Sequence, residues 1–247
     1  MSLPIGSEEI GMRMIIDFHS HILPGIDDGS ADVAESVAML QMEAAQGVTH
    51  VVATPHFYAR YNTPEVFLEK RDAAEAALRA EMAKHPGLPE LHIGAEVSFF
   101  RGMSDSEMLE QLVIRGTRSI LIEMPLPPWT DAFYRELEAI WAKRKLTPII
   151  AHIDRYIGPF RTLGIPERLE ALPVLVQANA DFFRERATAG MALRMLRRDQ
   201  IHLLGSDCHS TRTRKPNLGD AVQRIARKLG QEPLELISQC GRTVLEL

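Results

Sequence analysis

Short runs of β-branched and aliphatic residues recur along this chain, separated by longer stretches whose apolar positions return every three or four residues. The short runs read as seven strands, at 14–19, 50–56, 91–99, 119–124, 148–153, 174–180 and 201–207. The longer stretches read as helices at 31–46, 64–84, 104–115, 131–145, 183–198, 218–229 and 233–240. Ser30 is the expected N-cap of the first, and Pro64 stands near the first turn of the second. Unbroken alternation of this kind implies parallel strands joined by right-handed helical crossovers. The expectation is therefore an α/β fold, a distorted seven-stranded (β/α) barrel, in a single domain over 14–247. Residues 1–13 show no clear period and read as an N-terminal extension, with Met12 or Met14 as candidate natural starts.

In such folds functional groups gather where strands end and loops begin, at the carboxyl ends of the strands. The first strand ends in His19 and His21, the second in His56, the third near Glu96 and the fourth in Glu123. His152 ends the fifth, and Asp207 and His209 end the last. Residues i and i+2 of a strand share a side, so each close pair can reach one point, and closure would set the two pairs together. Neutral imidazole and ionised carboxylate suit divalent zinc, manganese or iron, and their mixture suits a multinuclear hydrolytic centre. Only nine histidines exist and five occupy strand ends. His50, His85, His92 and His202 begin strands or lie in a loop and receive no function. The sixth strand ends in Asn179, a poorer ligand that can bind substrate by hydrogen bonds.

At 247 residues, 45% hydrophobic and 25% charged, the chain has the make-up of an ordinary soluble domain. A net charge of -5 advertises neither nucleic acid nor an anionic membrane as partner. No apolar run approaches a membrane span, and no secretory leader is legible, so the expected location is the cytoplasm. Two cysteines, Cys208 and Cys240, form no disulfide framework and read as free thiols.

Specific runs then carry a resemblance: Asp17-Phe18-His19-Ser20-His21-Ile22-Leu23-Pro24-Gly25-Ile26-Asp27-Asp28-Gly29, Ala53-Thr54-Pro55-His56, Gly94-Ala95-Glu96, Leu121-Ile122-Glu123, Ala151-His152-Ile153-Asp154-Arg155-Tyr156, Asn179 and Ser206-Asp207-Cys208-His209. In this order they resemble the polymerase and histidinol phosphatase (PHP) superfamily of metal-dependent phosphoesterases, and most its bacterial tyrosine-phosphatase branch. Pro24-Gly25 and the Asp27-Asp28-Gly29 turn are the specific part.

The resemblance implies a barrel with two or three divalent metal ions, manganese favoured over iron or zinc. It implies hydrolysis of phosphotyrosine on a bacterial tyrosine autokinase that controls capsule or exopolysaccharide synthesis. Carried over by position, His19, His21, His56, Glu96, Glu123, His152, Asp207 and His209 would be metal ligands, and a metal-bound hydroxide the nucleophile. Arg155 would hold the phosphate oxygens. Asp207 or Asp28 would carry a proton, and His209 or His56 would protonate the leaving phenolate. Tyr58 and Arg60, in the loop after the second strand, suit a phosphorylated aromatic ring. After the last Asp-x-His, Arg212, Arg214 and Lys215 compete to be the second phosphate-binding cation, with Arg214 preferred. Asp27 and Asp28 also read simply as turn formers.

Three rivals stand beside this reading. Histidinol phosphate or another small phosphomonoester is an alternative substrate. A non-enzymatic module of the same fold is a second. Cys208 and Arg214 also have the C-x5-R spacing of cysteine-dependent phosphatases, but the intervening His-Ser-Thr-Arg-Thr lacks the glycine a tight phosphate loop needs.

Overall fold

The computed structural model describes residues 14–157 and 164–247; the expected extension at 1–13 lies outside the described residues. The described residues form nine strands: β1 (Ile16–Ser20), β2 (His50–Ala53), β3 (His56–Phe57), β4 (Glu90–Ile93), β5 (Glu96–Ser98), β6 (Ser119–Glu123), β7 (Thr147–Ile150), β8 (Leu175–Asn179) and β9 (Leu203–Gly205). Every pairing is parallel, in two sheets ordered β1-β2-β4 and β3-β5-β6-β7-β8-β9.

The expected second and third strands are each broken in two. Thr54-Pro55 separates β2 from β3, because Pro55 has no N–H to give a ladder. Gly94-Ala95 separates β4 from β5, and a side chain at Gly94 would press on Ile114 at 3.3 Å. The expected strand end at 148–153 also stops early, since His152 takes a left-handed φ of 32°. β9 likewise stops at Gly205, and Asp207 has φ 54°. Past these ends the first and last strands touch: Asp207 N donates to His19 O (2.7 Å) and His21 N to Cys208 O (2.9 Å).

The helices are α1 (Val33–Ala45), α2 (Pro64–Met82), α3 (Asp131–Ala139), α4 (Ile165–Leu169), α5 (Ala180–Arg184), α6 (Ala189–Leu196), α7 (Leu218–Leu229) and α8 (Glu232–Leu245). Asp32, not Ser30, caps α1: its carboxylate accepts from Glu35 N at 2.9 Å, while the Ser30 hydroxyl bonds to Asp32 O and Ser36. The expected helix at 104–115 is instead two 3₁₀ turns, Met103–Asp105 and Glu107–Gln111. Arg144 takes the carbonyls of Ser104 and Asp105, which a continuous helix would need for its own ladder. The stretch at 131–145 is helical but ends in a π turn, Ile140–Arg144, stopped by Lys145 at φ 57°. The stretch at 183–198 is split between α5 and α6, and α8 runs beyond the expected 240.

A large apolar core lies between strands and helices, including Val51, Ile93, Ile122, Ile150 and Val176 with Met39, Leu40, Leu78 and Leu137. A second cluster joins Ile16, Phe18, Val52, Leu121, Ile149 and Leu203 with Val244 and Leu245 of α8. Side chains from strands this far apart in order meet only on the concave side of a curled sheet. Burial on both faces explains why the strands read as nearly continuous apolar runs.

One irregularity aims the site. Asp17 stands opposite Val51, but Ser20 stands opposite Ala53, so β1 carries one extra residue there. A regular strand would keep Asp17 and His19 on one face. The bulge lets Asp17 pack toward Glu43 of α1 while His19 turns inward to Gln177 and Glu96.

Candidate metal centre

The carboxyl ends of the strands bring eight side chains together. His19 Nε2 and His21 Nε2 lie 3.2 Å apart. Glu96 Oε2 is 3.3 Å from the first and 3.4 Å from the second, and Asp207 Oδ1 is 3.6 and 3.5 Å from them. Glu96 also meets His56 Nδ1 at 2.9 Å and His152 Nε2 at 2.8 Å. His56 Nε2 and His209 Nε2 face Asp28 Oδ1 at 3.4 and 3.5 Å. Glu123 Oε1 lies 3.7 Å from His152 Nε2. His19, His21, Glu96, His152, Asp207 and His209 are all buried, whereas Asp28 is exposed at the mouth.

Whether these residues fit metal ions turns on the two facing imidazoles. His21 Nδ1 lies 2.8 Å from Asp27 Oδ2, and His19 Nδ1 lies 3.2 Å from Gln177 Oε1. Asp27 is ionised, and the Gln177 oxygen is identified because it also accepts the backbone N–H of His152 at 2.7 Å. Both Nδ1 atoms therefore donate, which in the neutral rings leaves both Nε2 atoms with lone pairs aimed at one another. Two lone pairs at 3.2 Å between two carboxylates call for a cation. His209 Nε2 is buried with no hydrogen-bond partner among the described residues, and Glu96 Oε2 and His56 Nδ1, though 2.9 Å apart, are not aligned for a hydrogen bond, as suits metal ligands.

The electrostatics agree. Burial pushes the His21 pKa down, but Asp207, Asp27 and Glu96 outweigh it and hold it well above the ordinary value. Burial likewise opposes ionisation of Glu96 and Asp207, yet the neighbouring imidazoles hold both well below the carboxylate range. Surroundings that demand a proton on histidine also favour a divalent cation in its place. His209 goes the other way, down to about 4, through burial and the nearness of His21 and Arg214. Its neutral ring suits a metal ligand.

Arg155 Nη2 contacts Asp207 Oδ2 at 2.6 Å, and Arg214 Nη2 contacts Asp207 Oδ1 at 2.6 Å. Of the three cations in that loop, Arg214 is the one at the centre. Asn179 Nδ2 donates to Asp207 Oδ2 at 3.0 Å and Gln177 Nε2 to Asn179 Oδ1 at 3.0 Å, so a line of amides ties His19 to Asp207. The Tyr58 ring lies 5.2 Å from that of His56, and its pKa is pushed up to about 12 by burial and by Glu123 and Glu96. Arg60 is exposed and sits over Tyr61, 5.6 Å from the ring centroid.

Two residues here had no role in the sequence reading beyond turn or strand: Asp27 and Gln177, which orient His21 and His19. Asp27 was visible as part of the Asp-Asp-Gly turn, where turn formation was explanation enough. Gln177 offered no signal, since a lone amide inside an apolar strand has no motif. Cys208 lies apart, buried beside Asp17 and Glu43 with Sγ 4.0 Å from Glu43 Oε1. Burial and those two carboxylates push its thiol well up, the reverse of an activated nucleophile.

The sequence pattern of a family described as "Capsular polysaccharide synthesis, CpsB/CapC" matches residues 15–245. The chain belongs to the CpsB/CapC family. It is 28% identical over 241 residues to the tyrosine-protein phosphatase YwqE of Bacillus subtilis, covering 94% of this chain and 91% of YwqE. It is 29% identical over 231 residues to the tyrosine-protein phosphatase CpsB of Streptococcus pneumoniae, covering 87% and 91%. Its fold matches a chain from the crystal structures of YwqE and CpsB, described as unique metal-dependent tyrosine phosphatases, with TM-score 0.81, 22% identity and 94% of each chain covered. The expected α/β single domain thus has its counterpart in this family's parallel, curled sheet.

Proposed function

We propose that this chain is a metal-dependent protein-tyrosine phosphatase of capsule or exopolysaccharide synthesis. The observation that carries the reading is the pair of imidazole Nε2 atoms 3.2 Å apart between Glu96 and Asp207, on a chain of the CpsB/CapC family.

His19, His21, His56, Glu96, Glu123, His152, Asp207 and His209 hold the ions, with Asp28 at the mouth. Three overlapping donor groups support two or three ions: His19, His21 and Asp207; His56, Glu96 and Glu123; His21, Asp28, His56 and His209. The donor set suits manganese, iron or zinc, and manganese is our first choice. Bound divalent cations lower the pKa of water and neutralise charge on phosphoryl oxygens, so hydrolysis needs no covalent enzyme intermediate.

This chain's own residues do the rest. Arg155 and Arg214 turn from Asp207 to the phosphoryl oxygens, which their charged N–H groups bind more strongly than neutral donors would. Asp207, relieved of both, accepts a proton, and Asn179 keeps it aimed. Tyr58 and the exposed Tyr61 line the approach for an aromatic phosphoester. The two sheets are read as one seven-staved barrel, with β2 and β3 as one broken stave and β4 and β5 as another. The bonds from Gly94 N to Ala53 O (2.8 Å) and Glu96 N to Pro55 O (3.0 Å) support that continuity. The substrate is a phosphorylated tyrosine kinase of polysaccharide export, met in the cytoplasm. No helix among the described residues is long and apolar enough to cross a membrane.

Side-by-side turnover of a phosphotyrosine peptide and histidinol phosphate by the manganese-loaded protein tests the substrate. Higher kcat/KM for the peptide is expected; preference for histidinol phosphate would overturn the assignment.

A further inference from the structure

At the other end of the strands, far from the phosphatase centre, a second set of metal-type side chains converges. His50 opens β2, and Glu90 and His92 open β4. His50 pairs with Ile16 on one side and Glu90 on the other, and His92 pairs with Val52, so all three share the concave face. His56 follows His50 by six positions, which at the rise of a strand is roughly 20 Å.

We propose that His50, Glu90 and His92 form a separate divalent-cation site, of the two-histidine, one-carboxylate type that takes zinc. Their three ligand atoms all lie within 4.8 Å of one another. His50 Nε2 is 3.5 Å from Glu90 Oε2 and His92 Nε2 is 3.8 Å from Glu90 Oε1, separations close to those across the phosphatase centre. The imidazole rings stack with centroids 5.4 Å apart.

Two observations point to a ligand. His92 Nε2 is buried and has no hydrogen-bond partner among the described residues. His50 Nδ1 is held by Thr49 Oγ1 at 3.0 Å, which orients the ring and leaves Nε2 for the cluster, the arrangement that outer partners impose on metal-binding histidines. The nearby cation, Arg79, is paired with Glu75 at 2.7 Å. Two histidines and one carboxylate leave a position for solvent, and Glu90, mostly exposed, opens the cluster to it.

Bound there, zinc would pin β2 to β4 where the strands enter the sheet. The test is zinc titration of wild type, Glu90→Gln and His92→Ala by calorimetry, with cobalt substitution as a second readout. Wild type should take up one more equivalent of zinc than His92→Ala and show an additional tetrahedral cobalt band. Glu90→Gln, an exposed and near-isosteric change, should lose at least about tenfold in affinity at that equivalent, a scale on which even outer groups of metal sites act. Manganese-supported phosphatase turnover of all three should match. Equal zinc stoichiometry and equal affinities in wild type and Glu90→Gln would overturn the proposal, whether or not His92→Ala folds.

Discussion

Asp27→Asn isolates the claim that an aspartate in a turn governs metal affinity from outside the ligand set. Asp27 Oδ2 accepts from His21 Nδ1 at 2.8 Å and from His56 N at 3.0 Å, while Oδ1 accepts from Gly29 N at 3.0 Å. Burial would raise its pKa, but His21 and the two backbone N–H groups bring it down to about 2, so it is ionised at any working pH. Asparagine fits the same space and can keep the Gly29 bond, but its NH₂ then faces two donors. His21 loses the acceptor that fixes its tautomer. Outer partners of this kind typically carry 10- to 100-fold in metal affinity, about 1.4–2.7 kcal/mol. The stranded N–H groups should add about 1–3 kcal/mol of lost stability. The assay is manganese dependence of phosphopeptide hydrolysis by chelator-treated protein, with thermal unfolding alongside. The manganese midpoint should rise within that range while kcat at saturating manganese stays near wild type. An unchanged midpoint in a folded variant would refute the reasoning.

Other consequences follow from single contacts. Gly205→Ala would place a methyl 2.6 Å from both His19 Cβ and Gln177 Nε2, so it should cost about 1–3 kcal/mol and weaken manganese uptake; a wild-type melting curve would contradict this. Arg155→Ala should lower kcat/KM for the phosphopeptide on the order of ten- to a hundredfold, the worth of a charged hydrogen bond, and an unchanged value would remove Arg155 from the phosphate site. Burial would raise the Glu75 pKa, but Arg79 and Arg115 hold it below its ordinary 4.5. A depressed carboxylate stabilises the fold above that value and loses its contribution as pH falls below it, so Glu75→Gln should flatten the acid side of the stability curve; identical acid titrations would contradict the pairing.

The convergence of histidines and carboxylates at one end of the sheet was legible because it is concentrated in rare residue types: a histidine at one strand end after another has no simple packing explanation. The helix α7 was legible for a related reason, since its buried residues, Leu218, Ala221, Val222 and Ile225, follow the apolar period of the sequence. What escaped the sequence acts through backbone geometry or neutral amides. The bulge between Asp17 and Ser20 turns His19 inward, yet nothing in Asp-Phe-His-Ser marks an extra residue. Gln177 acts through its position between His19 and His152, strands apart in sequence. The expected helix at 104–115 failed because Arg144, some forty residues on, takes two of its carbonyls. His50 and His92 were set aside individually, and only the register of β2 against β4 shows that they meet.

The most direct test of the central claim is phosphotyrosine-peptide hydrolysis by one preparation in three forms: stripped by chelator, stripped and reloaded with manganese, and Cys208→Ser loaded with manganese. Activity is expected to be lost in the first, recovered in the second and near wild type in the third. Hydrolysis that survives complete metal removal but disappears with Cys208→Ser would contradict that claim.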